Sequence, residues 1–329
     1  MEPIIREVNV KNIFTKSSLP VGDFSVNPYI GCTHSCKYCY ASFMKRFTGH
    51  SEPWGTFLDV KIWPEIKNPK KYSGKELFIG SVTDPYLPQE EIFGCTRALL
   101  LQLQGSGAKI SIATKSDLVL RDLDVIRTFP EARISWSINT LDECFQKDMD
   151  QAPSIQRRLA AMEAFHRAGI RTTCFISPIF PEITDVEAII RRTKDHCNLI
   201  WLENLNLRGS YKATIMSYIG EHYPHLVPLY REIYHGGNRN YWEILDARLQ
   251  SYTAQIGLDY RTNDDSLERP FSSPPVVVNY FYHEQIKKSA KRSHRSAQQI
   301  EKDGIYYART TRSGNHQKSD TTSDNRSFY

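Results

Sequence analysis

Long apolar runs are missing from this 329-residue sequence. A helix that spans a bilayer needs about 20 consecutive apolar residues, and no stretch of the chain approaches that length. Residues 1–6, MEPIIR, also lack the apolar core of a secretory signal peptide. The seven cysteines are odd in number and three of them cluster, a pattern that argues against a secreted disulfide framework. We therefore expect a cytoplasmic protein whose thiols stay reduced.

Most of the chain has no formal net charge. The formal net charge is +5, from 42 Lys and Arg against 37 Asp and Glu. Residues 284–329 hold ten of the basic and five of the acidic residues, which leaves 32 of each kind in residues 1–283. This tail is poor in apolar residues, so we expect it to be disordered. Its basic excess suits either weak contact with nucleic-acid phosphates or simple solubility.

A fourth cysteine is missing from the most distinctive stretch of the sequence. Cys32, Cys36 and Cys39 have a C-x3-C-x2-C spacing, so one short loop can place three thiolates around a metal centre. A cubane [4Fe–4S] cluster normally takes four thiolates, and the next cysteine, Cys95, is far along the chain. With three protein ligands, one iron keeps an open position for a substrate or cofactor. The alternatives are a zinc site with His34 as the fourth ligand and three cysteines that are unrelated to one another.

Six strand-like runs alternate with helix-like segments between residues 24 and 202. The predicted strands are residues 24–30, 77–82, 109–114, 133–138, 172–177 and 199–202. The predicted helices between them are residues 41–47, 94–104, 118–129, 153–168 and 185–196. This alternation indicates parallel strands with crossover helices. Either an open doubly wound sheet or a partly closed barrel fits the pattern.

The positions of the polar residues favour the barrel. They follow the carboxyl ends of all six strands, where (β/α) barrels carry their active sites, whereas an open sheet would concentrate them at one switch point. These residues are the cysteine loop, Ser81, Thr83, Asp84, Thr114, Lys115, Ser137, Asn139, Ser177, Glu203, Asn204 and Asn206. We therefore predict an α/β fold with a partial (β/α)6 barrel.

Four regions are predicted along the chain. Residues 1–22 are expected to be an irregular N-terminal lead-in that ends at the turn signal Pro20-Val21-Gly22. Residues 23–210 are expected to form the barrel, with residues 48–75 as a long connection. Residues 211–283 are expected to be a helical extension that closes the barrel and ends in a possible edge strand at residues 276–282. Its many aromatic residues allow an alternative role as a platform for stacking bases. The disordered tail, residues 284–329, completes the chain.

The cysteine spacing, with Tyr38 directly before Cys39, resembles the signature of the radical S-adenosylmethionine (SAM) superfamily. Further pieces resemble its spore-photoproduct-lyase-like branch, and the family called radical SAM mobile pair proteins is also similar. These pieces are Thr83-Asp84-Pro85-Tyr86, Thr114-Lys115-Ser116, Ala152-Pro153-Ser154 with Arg158-Leu159, and Ser177-Pro178-Ile179 with Pro181. The resemblance implies a radical SAM-type barrel with a [4Fe–4S] cluster held by Cys32, Cys36 and Cys39.

The resemblance also implies which residues contact SAM or shield the cluster. They are Tyr38, Ser81, Thr83, Lys115, Ser137 and Ser177. By analogy with the family, Thr83 would contact the methionine amino group, Lys115 the carboxylate and Ser137 the ribose. The residue types alone also allow plainer roles, because Thr83 and Asp84 suit a turn or a helix cap and a lone lysine is often solvated.

The implied function is reductive cleavage of SAM, followed by abstraction of hydrogen from a substrate by a 5′-deoxyadenosyl radical. A nucleic acid is the first choice of substrate, with a small molecule or a partner protein as open alternatives. A flavodoxin- or ferredoxin-like protein is the expected one-electron donor. Photoproduct lyases carry a hydrogen-donor cysteine where this chain has Ser81, so photoproduct repair is not expected. A different class of function, a zinc-stabilised nucleic-acid-binding module without catalysis, is the alternative.

Truncation after His283 tests the role of the tail. Lys288, Lys291, Arg292 and Arg295 are spaced three and four apart, so they share one face if the segment becomes helical. Removing residues 284–329 should leave iron content and SAM cleavage intact. It should weaken nucleic-acid binding and flatten the dependence of that binding on salt. The measurement is a salt series of DNA and RNA binding, and equal binding by both proteins would show that the tail does not bind nucleic acid.

Overall fold

The structure, a computed structural model, describes residues 2–17, 22–207, 209, 211–262 and 277–281. The strands in these ranges are β1 (Ile4–Asn9), β2 (Phe14–Lys16), β3 (Phe24–Val26), β4 (Tyr29–Ile30), β5 (Phe57–Ile62), β6 (Glu76–Ile79), β7 (Lys109–Thr114), β8 (Glu131–Ser137), β9 (Arg171–Ile179), β10 (Leu199–Asn204), β11 (Asp259–Thr262) and β12 (Val277–Phe281). The α-helices are α1 (Glu90–Phe93), α2 (Cys95–Leu103), α3 (Leu123–Ile126), α4 (Glu143–Met149), α5 (Ile155–Arg167), α6 (Val186–Thr193), α7 (Tyr211–His222), α8 (Val227–Tyr234) and α9 (Asn240–Gln255). Short 3-10 helices cover Tyr40–Phe47, Pro69–Tyr72, Leu118–Asp122 and Pro224–Leu226.

Six parallel strands lie side by side in the order in which the chain makes them. They are β3, β6, β7, β8, β9 and β10. Because each strand is added beside its predecessor, the order does not reverse within this set, as it would at the switch point of a doubly wound sheet. The predicted α/β fold with a partial (β/α)6 barrel is confirmed. All six carboxyl ends therefore face the same rim.

The helices between these strands begin and end where side chains can satisfy free backbone groups. The Ser154 hydroxyl accepts from the Arg157 backbone N–H at the start of α5, and the Asp185 carboxylate accepts from the Ala188 N–H at the start of α6. Helix α5 packs on β8 and β9, where the ring of Phe165 meets Trp136 edge-on at 5.4 Å. The main hydrophobic core lies between such helices and the sheet.

The N-terminal third contains strands that the sequence did not predict. Residues 1–22, expected to be irregular, include β1 and β2, and the expected connection at residues 48–75 includes β5. Strands β1, β5 and β4 form a separate three-stranded sheet. Apolar patterning missed β5 because Asp59 interrupts it, and that buried carboxylate is paired with the His50 ring at 2.8 Å. Strand β1 is largely exposed and so has no apolar pattern. Residues 20 and 21 of the predicted turn lie outside the described residues.

Residues 211–257 are mainly helical, as predicted, and several of their aromatic rings are buried. Tyr230 and Trp242 are fully covered, which favours a packing role over an exposed base-stacking platform. Strand β12 lies between β10 and β11, so it is an inner strand and not the predicted edge strand. Arg208 and the tail at residues 284–329 lie outside the described residues. Within the ranges described above, no helix combines the length and the apolar composition needed to cross a membrane.

Candidate active site

A cavity of about 870 Å³ opens at the carboxyl ends of the core strands. Its walls come from the cysteine loop, the 3-10 helix Tyr40–Phe47, and the residues that end or follow β6 to β10. Eight of the nine predicted site residues line it, namely Cys32, Cys36, Tyr38, Cys39, Thr83, Lys115, Ser137 and Ser177. Ser81 does not belong to the described lining.

Two glycines allow the loops around the cavity to approach the neighbouring strands. Gly31 has a φ of +91°, and a Cβ at this position would lie 2.4 Å from the carbonyl oxygen of Phe57. Gly80 has a φ of +98°, and its Cβ would lie 2.5 Å from the carbonyl oxygen of Ala113. A side chain at either position would be strained and would clash with backbone. These glycines therefore fix where the cysteine loop and the loop after β6 begin.

The Cys32 thiol is buried and those of Cys36 and Cys39 are half-buried, and the three lie close enough to influence one another. Burial raises the pKa of Cys32 to about 12, and the neighbouring Cys39 adds to that rise. Burial also raises the pKa of Cys36 and of Cys39, while the Lys115 ammonium lowers both. Backbone N–H groups of His34 and Asp84 point at the Cys32 sulfur and favour its thiolate. Binding of a metal centre would therefore release protons from these thiols. The site already holds groups that donate hydrogen bonds to the thiolate sulfurs.

The His34 ring lies in this wall of the cavity, and its hydrogen-bonding capacity is not fully satisfied. It is 1% exposed, and neither ring nitrogen has a hydrogen-bond partner among the described residues. Its Nε2 lies 3.2 Å from Asp84 Oδ2, an ion-pair distance without hydrogen-bond alignment. Burial of the other ring nitrogen, Nδ1, without a hydrogen-bond partner is costly unless a bound group supplies one. Three thiols, one ammonium and this imidazole fit a thiolate-bound group that accepts hydrogen bonds, as a [4Fe–4S] cluster with SAM does.

The spacing of the thiols also bears on the zinc alternative. Among the residues that the structure describes, no three His, Cys, Asp or Glu side chains are placed to hold one metal ion. A structural zinc ion needs four ligands around a single centre, His34 included.

Asp84 connects the loops after β6 and β7 with the cysteine loop. Its Oδ1 accepts from the Thr114 hydroxyl at 2.7 Å and from the Tyr86 N–H at 2.9 Å, and its Oδ2 accepts from the Lys115 N–H at 2.7 Å. Burial alone would raise the pKa of Asp84, but His34, Thr114 and the Lys115 backbone together lower it. The carboxylate is thus ionised and fully engaged, in agreement with the turn role that the residue type suggests.

A second buried carboxylate, Asp150, holds the other end of the cysteine loop. It accepts from the Tyr38 hydroxyl at 3.0 Å and from the Arg158 guanidinium at 2.7 Å, and Arg158 also donates to the Ser137 carbonyl at 3.1 Å. Burial alone would raise the pKa of Asp150, but Arg158 and Lys115 lower it. The sequence analysis missed Asp150. The available signal was Arg158, an arginine on the inner face of α5 that must have a counter-ion.

The remaining predicted residues differ in the contacts that their side chains make at the cavity. The Thr83 hydroxyl donates to the Gly31 carbonyl at 2.5 Å, so its oxygen can still accept from a bound amino group. Lys115 Nζ lies 5.5 Å from the centre of the Tyr38 ring. The Ser177 hydroxyl donates to Glu203 at 3.0 Å. The Ser81 hydroxyl accepts from the Asn27 side chain at 2.9 Å, and the Ser81 carbonyl accepts from the hydroxyl of Tyr40, which lines the cavity. A cofactor contact of Ser81 stays a prediction.

The segment after the cysteine loop contributes cavity residues that the sequence analysis missed. Phe43, Lys45, Arg46 and His50 all line the cavity. His50 is a structural residue, because its two ring nitrogens contact Asp59 at 2.8 Å and Glu52 at 3.0 Å. The run of aromatic and basic residues between 40 and 47 was the signal that could have identified this wall.

Comparison with known proteins agrees with this geometry. The sequence model that describes the Radical SAM superfamily matches residues 26–192 of this chain. An uncharacterized protein of Methanocaldococcus jannaschii is 36% identical over 222 residues, which cover 67% of this chain and 84% of the relative. A radical SAM Nalpha-GlyT isomerase of Pseudomonas phage M6 is 25% identical over 160 residues, which cover 47% of this chain and 33% of the isomerase.

Among solved structures, a mutant spore photoproduct lyase with bound AdoMet and dinucleoside spore photoproduct is similar, with a TM-score of 0.47 and 17% identity. The similarity covers 67% of this chain and 66% of the lyase chain.

Replacing each cluster ligand tests the assignment of the cysteines. Cys32→Ala, Cys36→Ala and Cys39→Ala should each lose iron, because two thiolates cannot replace three around the cluster. Cys95→Ala and Cys144→Ala are matched controls, since neither thiol belongs to the described cavity lining, and they should keep iron. The measurement is iron and sulfide content after anaerobic reconstitution. A full cluster in any of the first three variants would contradict the assignment.

Lys115→Ala tests the predicted carboxylate contact. The variant should keep its iron but bind SAM more weakly, by about 1.5–3 kcal/mol, because one charge-assisted contact is lost. Lys109→Ala is the control, since Lys109 lies at the opposite end of β7 and pairs with Glu131 at 2.8 Å. Calorimetric titration with SAM measures the difference. Unchanged affinity in Lys115→Ala would make this residue an ordinary loop lysine.

Proposed function

The chain belongs to the radical SAM superfamily, whose members use a [4Fe–4S] cluster and SAM, and we propose that Cys32, Cys36 and Cys39 hold that cluster here. When bound, the cluster and SAM supply one-electron reductive cleavage of SAM to methionine and a 5′-deoxyadenosyl radical, which takes hydrogen from a substrate. The observation that carries the proposal is that three thiols, one buried and two half-buried, line one cavity, and that no other cysteine belongs to the described lining.

Other residues that line the cavity would bind SAM and orient it. We propose that Thr83 accepts from the methionine amino group and that Lys115 contacts the carboxylate, since both line the cavity near the cysteine loop. Ser137 would contact the ribose. Tyr38, held by Asp150, covers one side of the thiols and limits access of water to them. These contacts would fix the reacting end of SAM before a substrate enters.

A nucleic acid is the substrate class that we propose. The 3-10 helix Tyr40–Phe47 forms one wall of the cavity and carries basic and aromatic side chains together. The Arg46 guanidinium lies over the rings of Phe43 and Phe47, at 5.3 Å and 5.2 Å from their centres, and Phe47 is 53% exposed. Exposed aromatic rings beside cations are typical of surfaces that bind single strands through stacking and phosphate contacts. The basic excess of residues 284–329 adds to this support.

The reaction also needs an electron from outside the chain. We propose a flavodoxin- or ferredoxin-like protein as the donor, because the cleavage of SAM consumes one electron at a time. A cytoplasmic location would keep the thiols reduced for cluster assembly. The name of the phage relative, an isomerase, supports modification of a substrate as the outcome.

The formation of 5′-deoxyadenosine tests this function. Protein reconstituted anaerobically with iron and sulfide should release 5′-deoxyadenosine from SAM after addition of dithionite, measured by chromatography and mass spectrometry. The triple variant Cys32→Ala, Cys36→Ala, Cys39→Ala is the control and should release none. A fully loaded protein that binds SAM but never releases 5′-deoxyadenosine would contradict the proposal.

The serine at position 81 predicts that spore photoproduct is not a substrate for repair by this protein. A serine O–H is a far poorer donor of a hydrogen atom than a thiol, and Ser81 is already bonded to Asn27 at 2.9 Å. The protein should therefore not restore thymine from spore photoproduct in DNA. Chromatography of the digested DNA measures this. Multiple turnovers would show that another residue donates the hydrogen.

A further inference from the structure

Trp54 packs against the cysteine loop from the segment that leads into β5. A Cβ added to its neighbour Gly55 would lie 2.4 Å from the hydroxyl oxygen of Ser35, so this segment and the cysteine loop are in direct contact. The Trp54 ring meets the ring of buried Phe57 edge-on at 5.7 Å, and it packs in a hydrophobic cluster that includes Cys32. These contacts fix the orientation of the indole.

The indole N–H of Trp54 is buried beside one of the three thiols. No contact of its Nε1 with the described residues has ordinary hydrogen-bond geometry, although a buried tryptophan N–H usually has an acceptor. The group that it approaches is the Cys39 thiol. Burial raises the pKa of Cys39, and the Trp54 N–H beside the sulfur lowers it. The indole therefore favours the thiolate form of Cys39.

The charge on the Cys39 sulfur decides how well this N–H is satisfied. A neutral thiol is a weak acceptor. A thiolate that ligates iron carries negative charge, so it accepts a stronger, charge-assisted hydrogen bond. Because one-electron reduction adds negative charge to a cluster and its ligands, the same hydrogen bond is stronger in the reduced state than in the oxidised state. A donor at this position therefore favours reduction.

We propose that the Trp54 N–H donates to the ligating sulfur of Cys39 and thereby raises the reduction potential of the [4Fe–4S] cluster. Hydrogen bonds to the sulfurs are among the factors that set the potentials of iron–sulfur clusters. Trp54 does not belong to the described cavity lining, so it is a positioning residue that acts through Cys39 and not through SAM. The inference rests on the proposed function, because that function places Cys39 on the cluster.

A redox titration of the reconstituted protein without SAM, followed by electron paramagnetic resonance of the reduced cluster, tests the inference. Trp54→Phe keeps an aromatic ring for packing but removes the N–H. It should keep its iron and lower the equilibrium constant for reduction about tenfold, which is a fall of about 59 mV in the midpoint potential of a one-electron couple.

Trp63→Phe is the matched control. Trp63 packs in the same hydrophobic cluster and its Nε1 is also buried, but it follows the opposite end of β5 from Trp54. This variant should leave the potential unchanged. Trp54→Ala separates the hydrogen bond from simple shielding. If Trp54 only excluded water, both Trp54→Ala and Trp54→Phe would raise the potential, because water stabilises the more highly charged reduced cluster.

A measurement on the unaltered protein keeps the test independent of whether the variants fold. Protein labelled with ¹⁵N in its tryptophan indoles should show weak hyperfine coupling of ¹⁵N to the electron of the reduced cluster, because an N–H···S bond places Nε1 next to a ligand sulfur. Pulsed electron paramagnetic resonance measures this coupling. It should persist in Trp63→Phe.

Two results would overturn the inference. One is an unchanged or raised potential in Trp54→Phe, and the other is the absence of ¹⁵N coupling in the unaltered, reduced protein. An unaltered protein that takes up no cluster would overturn both this inference and the proposed function. If the potential falls in Trp54→Phe but the unaltered, loaded protein releases no 5′-deoxyadenosine, only the proposed function fails, because the titration needs no SAM.

Discussion

The buried carboxylate of Asp84 is the interaction on which the geometry of this site depends. It accepts hydrogen bonds from Thr114 and from the Lys115 backbone after β7, and it lies beside His34 in the cysteine loop. Because Asp84 itself follows β6, its contacts join three separate segments, and one carboxylate sets their relative positions. The hydrogen bonds also fix the backbone from which the Lys115 ammonium extends, and that ammonium favours the thiolates of Cys36 and Cys39.

Hydrogen bonds to other parts of the chain hold the cysteine loop at several further points. Tyr38 bonds to Asp150, and the Lys37 N–H donates to the Met149 carbonyl at 2.9 Å. The Gln151 N–H donates to the His34 carbonyl at 2.8 Å. These bonds join the loop to the end of α4 and the residues after it. A ligand loop fixed in this way loses little conformational freedom on binding a cluster, which is the usual requirement for a precise site.

The sequence predicted the barrel because its core strands are uniform apolar runs, as β7 with Ile110 and Ile112 shows. It predicted Cys32, Cys36 and Cys39 as candidate ligands because their spacing is local. The missed features depend on side-chain contacts that apolar patterning does not detect. Strand β5 contains a buried Asp59 that only its pairing with His50 explains, and Asp150 binds Tyr38 across 112 positions of the chain. Likewise, the side-chain oxygen of Asn204 has no hydrogen-bond partner among the described residues, and this is apparent only from the folded structure.

The central claim is that three cysteines leave one iron open for SAM. Electron–nuclear double resonance on the reduced, reconstituted protein tests it most directly, with SAM carrying ¹⁵N in its methionine amino group and ¹⁷O in its carboxylate. Coordination at the open iron predicts hyperfine coupling of the cluster electron to both labelled nuclei. A reduced cluster with SAM bound but with no coupling to either label would contradict the account.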